Sequence, residues 1–318
     1  MRRCIELCAR SQGYHQPNPE VGALLVYQQQ IIGEGFHRKY GGAHAEVEAV
    51  ANVLPEHKHL IPQSTLYVTL EPCFHHGKTP PCVDLVLRER IQRVVVGMQD
   101  CFPLVAGQSI AKLRAAGVEV KVGVLEAEIA WLNRRFVCTV QKSRPYVVLK
   151  YAQSQNGFIA LPDTRTAISN ALTQRLVHKW RSEEQAILVG SNTFRIDNPL
   201  LNNRLYTGRS PQRIVLDRHP EAQAYPEGFL VLSEPDIPAV LAKMQTLKIQ
   251  SVLVEGGQKI LQAFIDSGYW DEARILTGKD CLDTGISAPL LAHSQLRESA
   301  QIADNQLQIF TNTNPSTL

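Results

Sequence analysis

Nothing in this 318-residue chain approaches the run of ~20 apolar residues that a membrane helix needs. Its amino terminus, Met1-Arg2-Arg3-Cys4, leads into an amphipathic stretch and not into the apolar core of a signal peptide. A membrane association is therefore excluded at this level, and a cytoplasmic location is expected. Excess charge is also lacking. The 33 Lys and Arg against 30 Asp and Glu leave a net +3, too little to argue for nucleic acid as a partner. A disulfide framework is missing as well, because the seven cysteines are odd in number and scattered. Cys4, Cys8, Cys101, Cys138 and Cys281 read as buried small hydrophobes.

What is present fits a globular protein, with 44% hydrophobic and 20% charged residues. The length is about twice that of a typical domain, so two domains are expected. In the first half, residues 2–11 read as a helix, Val21–Tyr27 and Ile31–Phe36 as a hairpin, and Thr65–Leu70 as a buried strand. Helices open at His44 and at Cys82, Arg93–Gly97 is a further strand, and Ile110–Ala116 a helix closed by Gly117. Asn133–Ser143 has Arg and Lys but no apolar period, and Arg144-Pro145 follows, so the boundary is placed at 143/144. In the second half, Pro145–Ala152, Ala186–Gly190, Arg213–Asp217, Gly228–Ser233 and Ser251–Val254 read as strands, with helices at Thr173–Arg181 and Gln258–Ser267. Arg274–Thr277 and Gln306–Thr311 look like a terminal sheet edge, and Asn312–Leu318 like a frayed tail. Strands alternating with helices predict α/β sheets in both halves.

Two short stretches carry chemistry. His44-Ala45-Glu46 is followed by Thr69-Leu70-Glu71-Pro72-Cys73 and, after eight residues, by Cys82. Separately each is weak. Together, in this order and on this strand–helix frame, they form the pattern of zinc-dependent nucleobase deaminases. One imidazole and two thiolates leave a fourth tetrahedral position for water, whose pKa the metal lowers towards neutrality. Glu46, not itself a ligand, is placed to carry protons. Helix amino termini at His44 and Cys82 favour thiolate, and the strand end at Cys73 directs the ligands into one crevice. Glu71 competes as a ligand, but its place before Pro72 favours a hydrogen-bonding role. The spacer Phe74–Pro81 holds two His, a Lys and a Thr, which suits a phosphorylated substrate.

These residues, together with Pro17-Asn18-Pro19-x-Val21-Gly22-Ala23, His75, Gly77-Lys78-Thr79-Pro80-Pro81-Cys82 and Val105-Ala106-Gly107, resemble the bifunctional deaminase–reductases of riboflavin biosynthesis. The resemblance implies a cytidine-deaminase-like α/β/α sandwich over residues 1–143 and a dihydrofolate-reductase-like α/β domain over 144–318. It implies zinc on His44, Cys73 and Cys82, with Glu46 shuttling protons. It also implies that Asn18, His37, His75, Lys78, Thr79 and Asp100 contact a pyrimidine ribosylamine phosphate. The family often has Asp-Pro-Asn-Pro where this chain has Asp100-Cys101-Phe102-Pro103.

In the second half, Gly190-Ser191-Asn192-Thr193 and Glu255-Gly256-Gly257 are loops after buried strands, where small residues let a phosphate approach backbone N–H groups. Read alone, each is equally a plain tight turn. The resemblance implies an NADPH site at Ala152, Ala167, Gly190, Thr193, Asp197, Gly256 and Gly257. It places substrate contacts at Lys150, Arg181, Leu201, Arg204 and Glu255, with hydride passing from cofactor to C1′ of the opened ribose. Ser154 and Gly157 match the loop after the first strand. Three positions depart: Asn156 stands where the family usually has Asp, Ala167 where it has Trp packed on the cofactor, and Asn198 where it has Asp. They motivate an alternative, a deaminase whose second domain no longer reduces. A deaminase of nucleosides or transfer RNA, and a noncatalytic zinc protein, are further alternatives. A homo-oligomer, dimer or tetramer, is expected.

Overall fold

The computed structural model describes every residue except Gln12, 76–79, 103–104, Arg165, Gln223 and 315–318. Lys78 and Thr79 and the end of the expected tail thus lie outside the described residues. The chain divides into two units, Met1–Gln141 and Lys142–Leu318.

In the first unit, α1 (Arg2–Cys8) runs on into a single 3-10 turn, Ala9–Ser11, and precedes β1 (Gly22–Tyr27) and β2 (Gln30–Phe36). Then come α2 (Ala45–Ala51), β3 (Thr65–Leu70), α3 (Cys82–Arg88), β4 (Arg93–Met98), α4 (Gln108–Ala115), β5 (Glu119–Val122), α5 (Glu126–Leu132) and α6 (Arg134–Lys142). The five strands lie in the order β2-β1-β3-β4-β5. β1 is antiparallel to β2 and β3, whereas β3, β4 and β5 run parallel. Strand alternation sends Ala23, Leu25, Leu66 and Val68 to one face, where Ala45 and Ala49 of α2 and Val83 and Val86 of α3 cover them. Leu24 and Tyr67 point the other way, against Cys4 and Leu7 of α1. The result is an α/β/α sandwich.

Two expectations for this unit change. The stretch 133–143, read as lacking an apolar period, is helical over Arg134–Lys142, with Cys138 buried and Val137 packed near Ile129. Phe136, Val137 and Val140 share one side of this short helix, with Arg135, Thr139 and Lys142 on the other, a period that nine residues following directly on α5 make easy to overlook. Cys101 is half-buried, not buried.

The second unit holds β6 (Tyr146–Gln153), β7 (Phe158–Ala160), α7 (Ala171–Glu183), β8 (Ala186–Gly190), α8 (Ser191–Asp197), β9 (Gln212–Leu216) and β10 (Phe229–Leu232). These are followed by α9 (Ile237–Thr246), β11 (Ser251–Val254), α10 (Gln258–Asp266), β12 (Glu272–Thr277), β13 (Ile286–Ser287), β14 (Ser294–Ile302) and β15 (Asn305–Asn312). Eight strands lie in the order β10-β9-β8-β11-β6-β12-β15-β14. From β10 to β12 they are parallel, and β15 and β14 close the edge antiparallel. All four residues of β11 are buried, as expected for a strand covered on both faces. Val147, Leu149 and Tyr151 pack with Val240 of α9 and Leu261 and Phe264 of α10. On the other face α7 brings Trp180 under Arg274, whose guanidinium lies 4.9 Å from the ring centre. Asn170 caps α7 by accepting from Thr173 N–H at 2.9 Å.

The expected loop Gly190–Thr193 is instead the start of α8, with Gly190 as its cap. That helix ends at Asn198, whose φ of 39° is left-handed. Asn tolerates this conformation better than most residues, which gives the departure at 198 a local reason. Cys281 is exposed, on a loop and not in the core. Among the described residues no helix is long and apolar enough to cross a membrane.

Candidate active sites

The first site is assembled from secondary-structure ends. His44 caps α2, Cys73 lies three residues past β3, and Cys82 is the first residue of α3. Their three donor atoms lie within 4.8 Å of one another. His44 Nδ1 is 3.3 Å from Cys82 Sγ and 3.5 Å from Cys73 Sγ. Tetrahedral zinc with ordinary bond lengths would set such N···S separations at roughly 3.6 Å, so the donor set fits that ion. Cys82 and His44, both hydrogen-bonded to Cys73 Sγ, hold that thiol well below its usual range, and Cys82 is pushed up by the same contact. A cation among the three donors would displace the Cys82 proton and let both sulfurs be thiolates.

Glu46, the second residue of α2, is 3% exposed. Burial, reinforced by the neighbouring Cys73 charge, raises its carboxyl to about 7. A carboxyl poised near neutrality can both accept and donate a proton. Glu71 is different. Its two oxygens accept from Gly107 N–H at 2.9 Å, Asp100 N–H at 3.2 Å, Ser109 Oγ–H at 2.7 Å, and the N–H groups of Ser109 and Ile110 at 3.2 and 3.3 Å. This carboxylate caps α4 from outside and ties it to the Pro72–Cys73 turn; it is saturated and is no competitor for a metal.

A cavity of about 460 Å³ opens at this site, lined by His44, Glu46 and Cys73 together with Asn18, His37, His75 and Asp100. His37 Nδ1 lies 3.0 Å from the Ala43 carbonyl and Nε2 lies 3.0 Å from Asn18 Nδ2. The carbonyl only accepts and the amide NH2 only donates, so His37 carries its proton on Nδ1. Burial lowers its pKa, which keeps it neutral. Asn18 is thereby oriented. Burial also raises Asp100.

The second site lies at the carboxyl ends of the parallel strands, where open α/β sheets bind ligands. A cavity of about 380 Å³ is lined by Lys150, Arg181, Arg204 and Glu255, and by Ala152, Ala167, Thr193, Asp197, Gly256 and Gly257. Arg181 Nε and Nη2 grip the two oxygens of Glu255 at 2.9 and 2.8 Å, and Lys150 Nζ stands 4.0 Å from Oε2. Burial alone would raise Glu255, but Arg181 and Lys150 pull it down to about 2. Burial in turn holds the Lys150 ammonium below the usual lysine range, against the pull of Glu255. Thr193 Oγ1 accepts from Gly257 N–H at 3.1 Å and so ties α8 to the start of α10. Gly256 has no room for a side chain, since a Cβ would lie 1.8 Å from Ile260 Cγ2. Two expected residues stand apart from the lining. Gly190 caps α8, and Leu201 is 2% exposed, inside the packing.

Comparison with known proteins bears on both sites. Residues 1–98 match the cytidine and deoxycytidylate deaminase zinc-binding region, and residues 145–278 match the RibD C-terminal domain. The riboflavin biosynthesis protein RibD of Aquifex aeolicus is 34% identical, over 97% of this chain and 94% of its own length. The chain belongs to the RibD family. The RibD of Bacillus amyloliquefaciens is likewise 34% identical, over 99% of this chain and 93% of its own. A Thermotoga maritima structure, described as a diaminohydroxyphosphoribosylaminopyrimidine deaminase/5-amino-6-(5-phosphoribosylamino)uracil reductase, superposes with a TM-score of 0.91 at 34% identity. It covers 98% of this chain and 97% of the other. As a RibD, the chain is a bifunctional deaminase and reductase, which is favoured over a deaminase alone.

Sequence reasoning missed several lining residues of this RibD. Phe102, Val105 and Phe136 line the first cavity. Phe136 lies in α6, a stretch read from the sequence as having no apolar period. His178 lines the second cavity and accepts from Arg204 N–H through Nδ1 at 3.1 Å. Gln174, Val177, His178 and Arg181 recur at i, i+3, i+4 and i+7, so a helical period anchored on Arg181 would have found it.

Proposed function

We propose that this RibD chain hydrolytically deaminates 2,5-diamino-6-ribosylamino-4(3H)-pyrimidinone 5′-phosphate and then reduces the ribosyl group to ribityl. Residues 1–143 perform the first step and 144–318 the second. The observation that carries the reading is the convergence of His44, Cys73 and Cys82 within 4.8 Å of one another, at a cavity lined by His44, Cys73 and the buried carboxyl of Glu46.

In the first site, His44, Cys73 and Cys82 would hold zinc, which would supply the Lewis acidity that makes water nucleophilic at neutral pH. Glu46 takes a proton from the attacking water, passes it to the ring nitrogen, and carries the next to the departing ammonia. Asn18, with its amide fixed by His37, presents its carbonyl oxygen as an acceptor. His75, Asp100, Lys78 and Thr79 complete the contacts to base and phosphate.

In the second site, Arg181, Lys150 and Arg204 hold the substrate, Arg181 being fixed in orientation by Glu255. Leu201 supports that loop from inside the packing. Ala152, Ala167, Thr193, Asp197, Gly256 and Gly257, with Gly190 at the start of α8, would hold NADPH, which would supply hydride chemistry for C1′. The protein's part is to align the two. The chain works as a cytoplasmic homo-oligomer on a small molecule.

The test supplies the pyrimidine phosphate and follows ammonia release and NADPH oxidation in the same sample. Both should proceed, and the NADPH signal should lag the ammonia. Ammonia from cytidine but none from the pyrimidine phosphate would overturn the substrate assignment. Ammonia release without NADPH oxidation, even with the deaminated intermediate added, would establish a deaminase alone.

A further inference from the structure

The cavity of the second unit is walled on one side by a flap that does not belong to the main sheet. Among the described residues β7 and β13 pair only with each other, Ala160 opposite Ile286 and Phe158 opposite Ser287. Ile159, Ala160, Leu161 and Ile286 face the cavity. Two strands of three and two residues cannot fix their own position. Something at the base must do so.

At the base stands Asn156, the departure from the family pattern that cast doubt on this half. We propose that Asn156 is a positioning residue for the reduction: its side-chain amide clamps the flap in register against the 280–288 loop. Asn156 Nδ2–H donates to the Leu282 carbonyl at 2.7 Å, and Leu282 N–H donates back to Asn156 Oδ1 at 3.1 Å. The side chain thus pairs with a backbone residue as a strand neighbour would. The same Oδ1 accepts from Ser154 Oγ–H at 2.8 Å, and Ser154 Oγ accepts from Phe158 N–H at 3.0 Å, which ties the clamp to the first residue of β7. Ser154 is 2% exposed.

Backbone contacts continue the seam on either side. Gln155 N–H donates to Asp280 O at 2.9 Å, and Ala288 N–H donates to Gly157 O at 2.8 Å. The two segments close so tightly that a Cβ on Gly285 would meet Ala160 O at 2.8 Å and Phe158 Cβ at 3.0 Å. The central contact needs both ends of an amide. A carboxylate could still accept from Leu282 N–H, but it has no hydrogen to give the Leu282 carbonyl and would set one lone pair against another. Asn at 156 is therefore the fuller match to this exposed contact, because it supplies both bonds where Asp would keep only the one from Leu282 N–H.

The inference rests on reading the second cavity as the reductase site. The test uses the full chain, because ammonia release by the first unit is an internal control of folding. Asn156→Ala should raise KM for NADPH at least fivefold with kcat within twofold and ammonia release unchanged. Amide hydrogen exchange at Leu282 and Ala288 should quicken about tenfold. Asn156→Asp should move both readouts in the same direction by less. A KM within twofold of the parent, or unaltered exchange at Leu282 and Ala288 in Asn156→Ala, overturns the clamp. If the parent chain oxidises no NADPH, the reading of the cavity fails and the exchange rates alone decide the clamp.

Discussion

Glu46 and Glu255 are both carboxylates enclosed in a cavity, and they ionise in opposite senses. Burial raises Glu46 to about 7, whereas Glu255 is drawn down to about 2. The difference lies in the partners. On Glu46 desolvation and the charge of Cys73 outweigh the opposing pull of His44 and a hydrogen bond with Cys82. Glu255 has the fork of Arg181 on both oxygens and Lys150 beside it. One site keeps a proton mobile at neutral pH. The other keeps its charges fixed, which suits holding two reactants in line.

Substitutions should separate these two uses of a buried carboxylate. The largest effect is expected at Glu46. Glu46→Gln keeps the volume and removes the proton carrier, so ammonia release should drop by roughly 10²–10⁴-fold. Bound zinc, measured by elemental analysis, and NADPH oxidation on supplied intermediate should be unchanged. Retention of full deaminase activity would show that Glu46 is only a satisfied buried acid.

Next comes Arg181. Its loss leaves Glu255 buried with Lys150 alone, and breaking such a pair costs about 3–5 kcal/mol. Arg181→Ala should lower the urea midpoint of the second unit accordingly, with the first unit still releasing ammonia. A loss below about 1 kcal/mol would mean that solvent already screens the pair.

The depressed ionisation of Glu255 predicts a smaller, pH-bound effect. A carboxylate whose folded pKa is below its unfolded one stabilises fully above the unfolded value, about 4.5, and loses that contribution as pH falls towards about 2. Glu255→Gln should therefore be less stable than the parent at pH 6, and the gap should narrow between about pH 4.5 and pH 2. A constant gap over that range would mean that Glu255 is not held ionised by its neighbours.

The two sites also differ in how far they were legible in the chain. The first was almost wholly readable, because its ligands stand at element boundaries whose signals are local. His44 follows a glycine pair, Cys73 follows a β-rich run, and Cys82 follows two prolines. The second was readable only through a resemblance, since its lining comes from six elements far apart in sequence. Glycine after a strand says equally turn or phosphate loop. What failed has common causes. α6 was overlooked although Phe136, Val137 and Val140 share one helical side, because it is only nine residues long and no cap separates it clearly from α5. α9 was passed over although Asp236 and Pro238 mark its start, with Asp236 accepting from Ala239 N–H at 2.8 Å. β14 has mostly exposed residues and owes its existence to pairing with β15, which no local pattern announces. The flap strands β7 and β13 are likewise held by tertiary contacts.

The smallest expected effect concerns Ala167, where the family usually has Trp packed on the cofactor. Ala167 lines the second cavity and is exposed, so a larger side chain has space. An aromatic ring there would add apolar area against a bound NADPH, and a stacked contact of this kind contributes about 0.5–1.5 kcal/mol. Ala167→Trp should therefore lower KM for NADPH by about two- to tenfold, with kcat nearly unchanged, because the contact forms in ground and transition states alike. Fluorescence of the added indole should be quenched on titrating NADPH. A rise in KM would mean that the cavity closes around Ala167 and that the flap behind Asn156 has taken over the covering role. Unaltered KM with no quenching would mean that residue 167 does not meet the cofactor, and the comparison of the two sites would then rest on Glu46 and Glu255 alone.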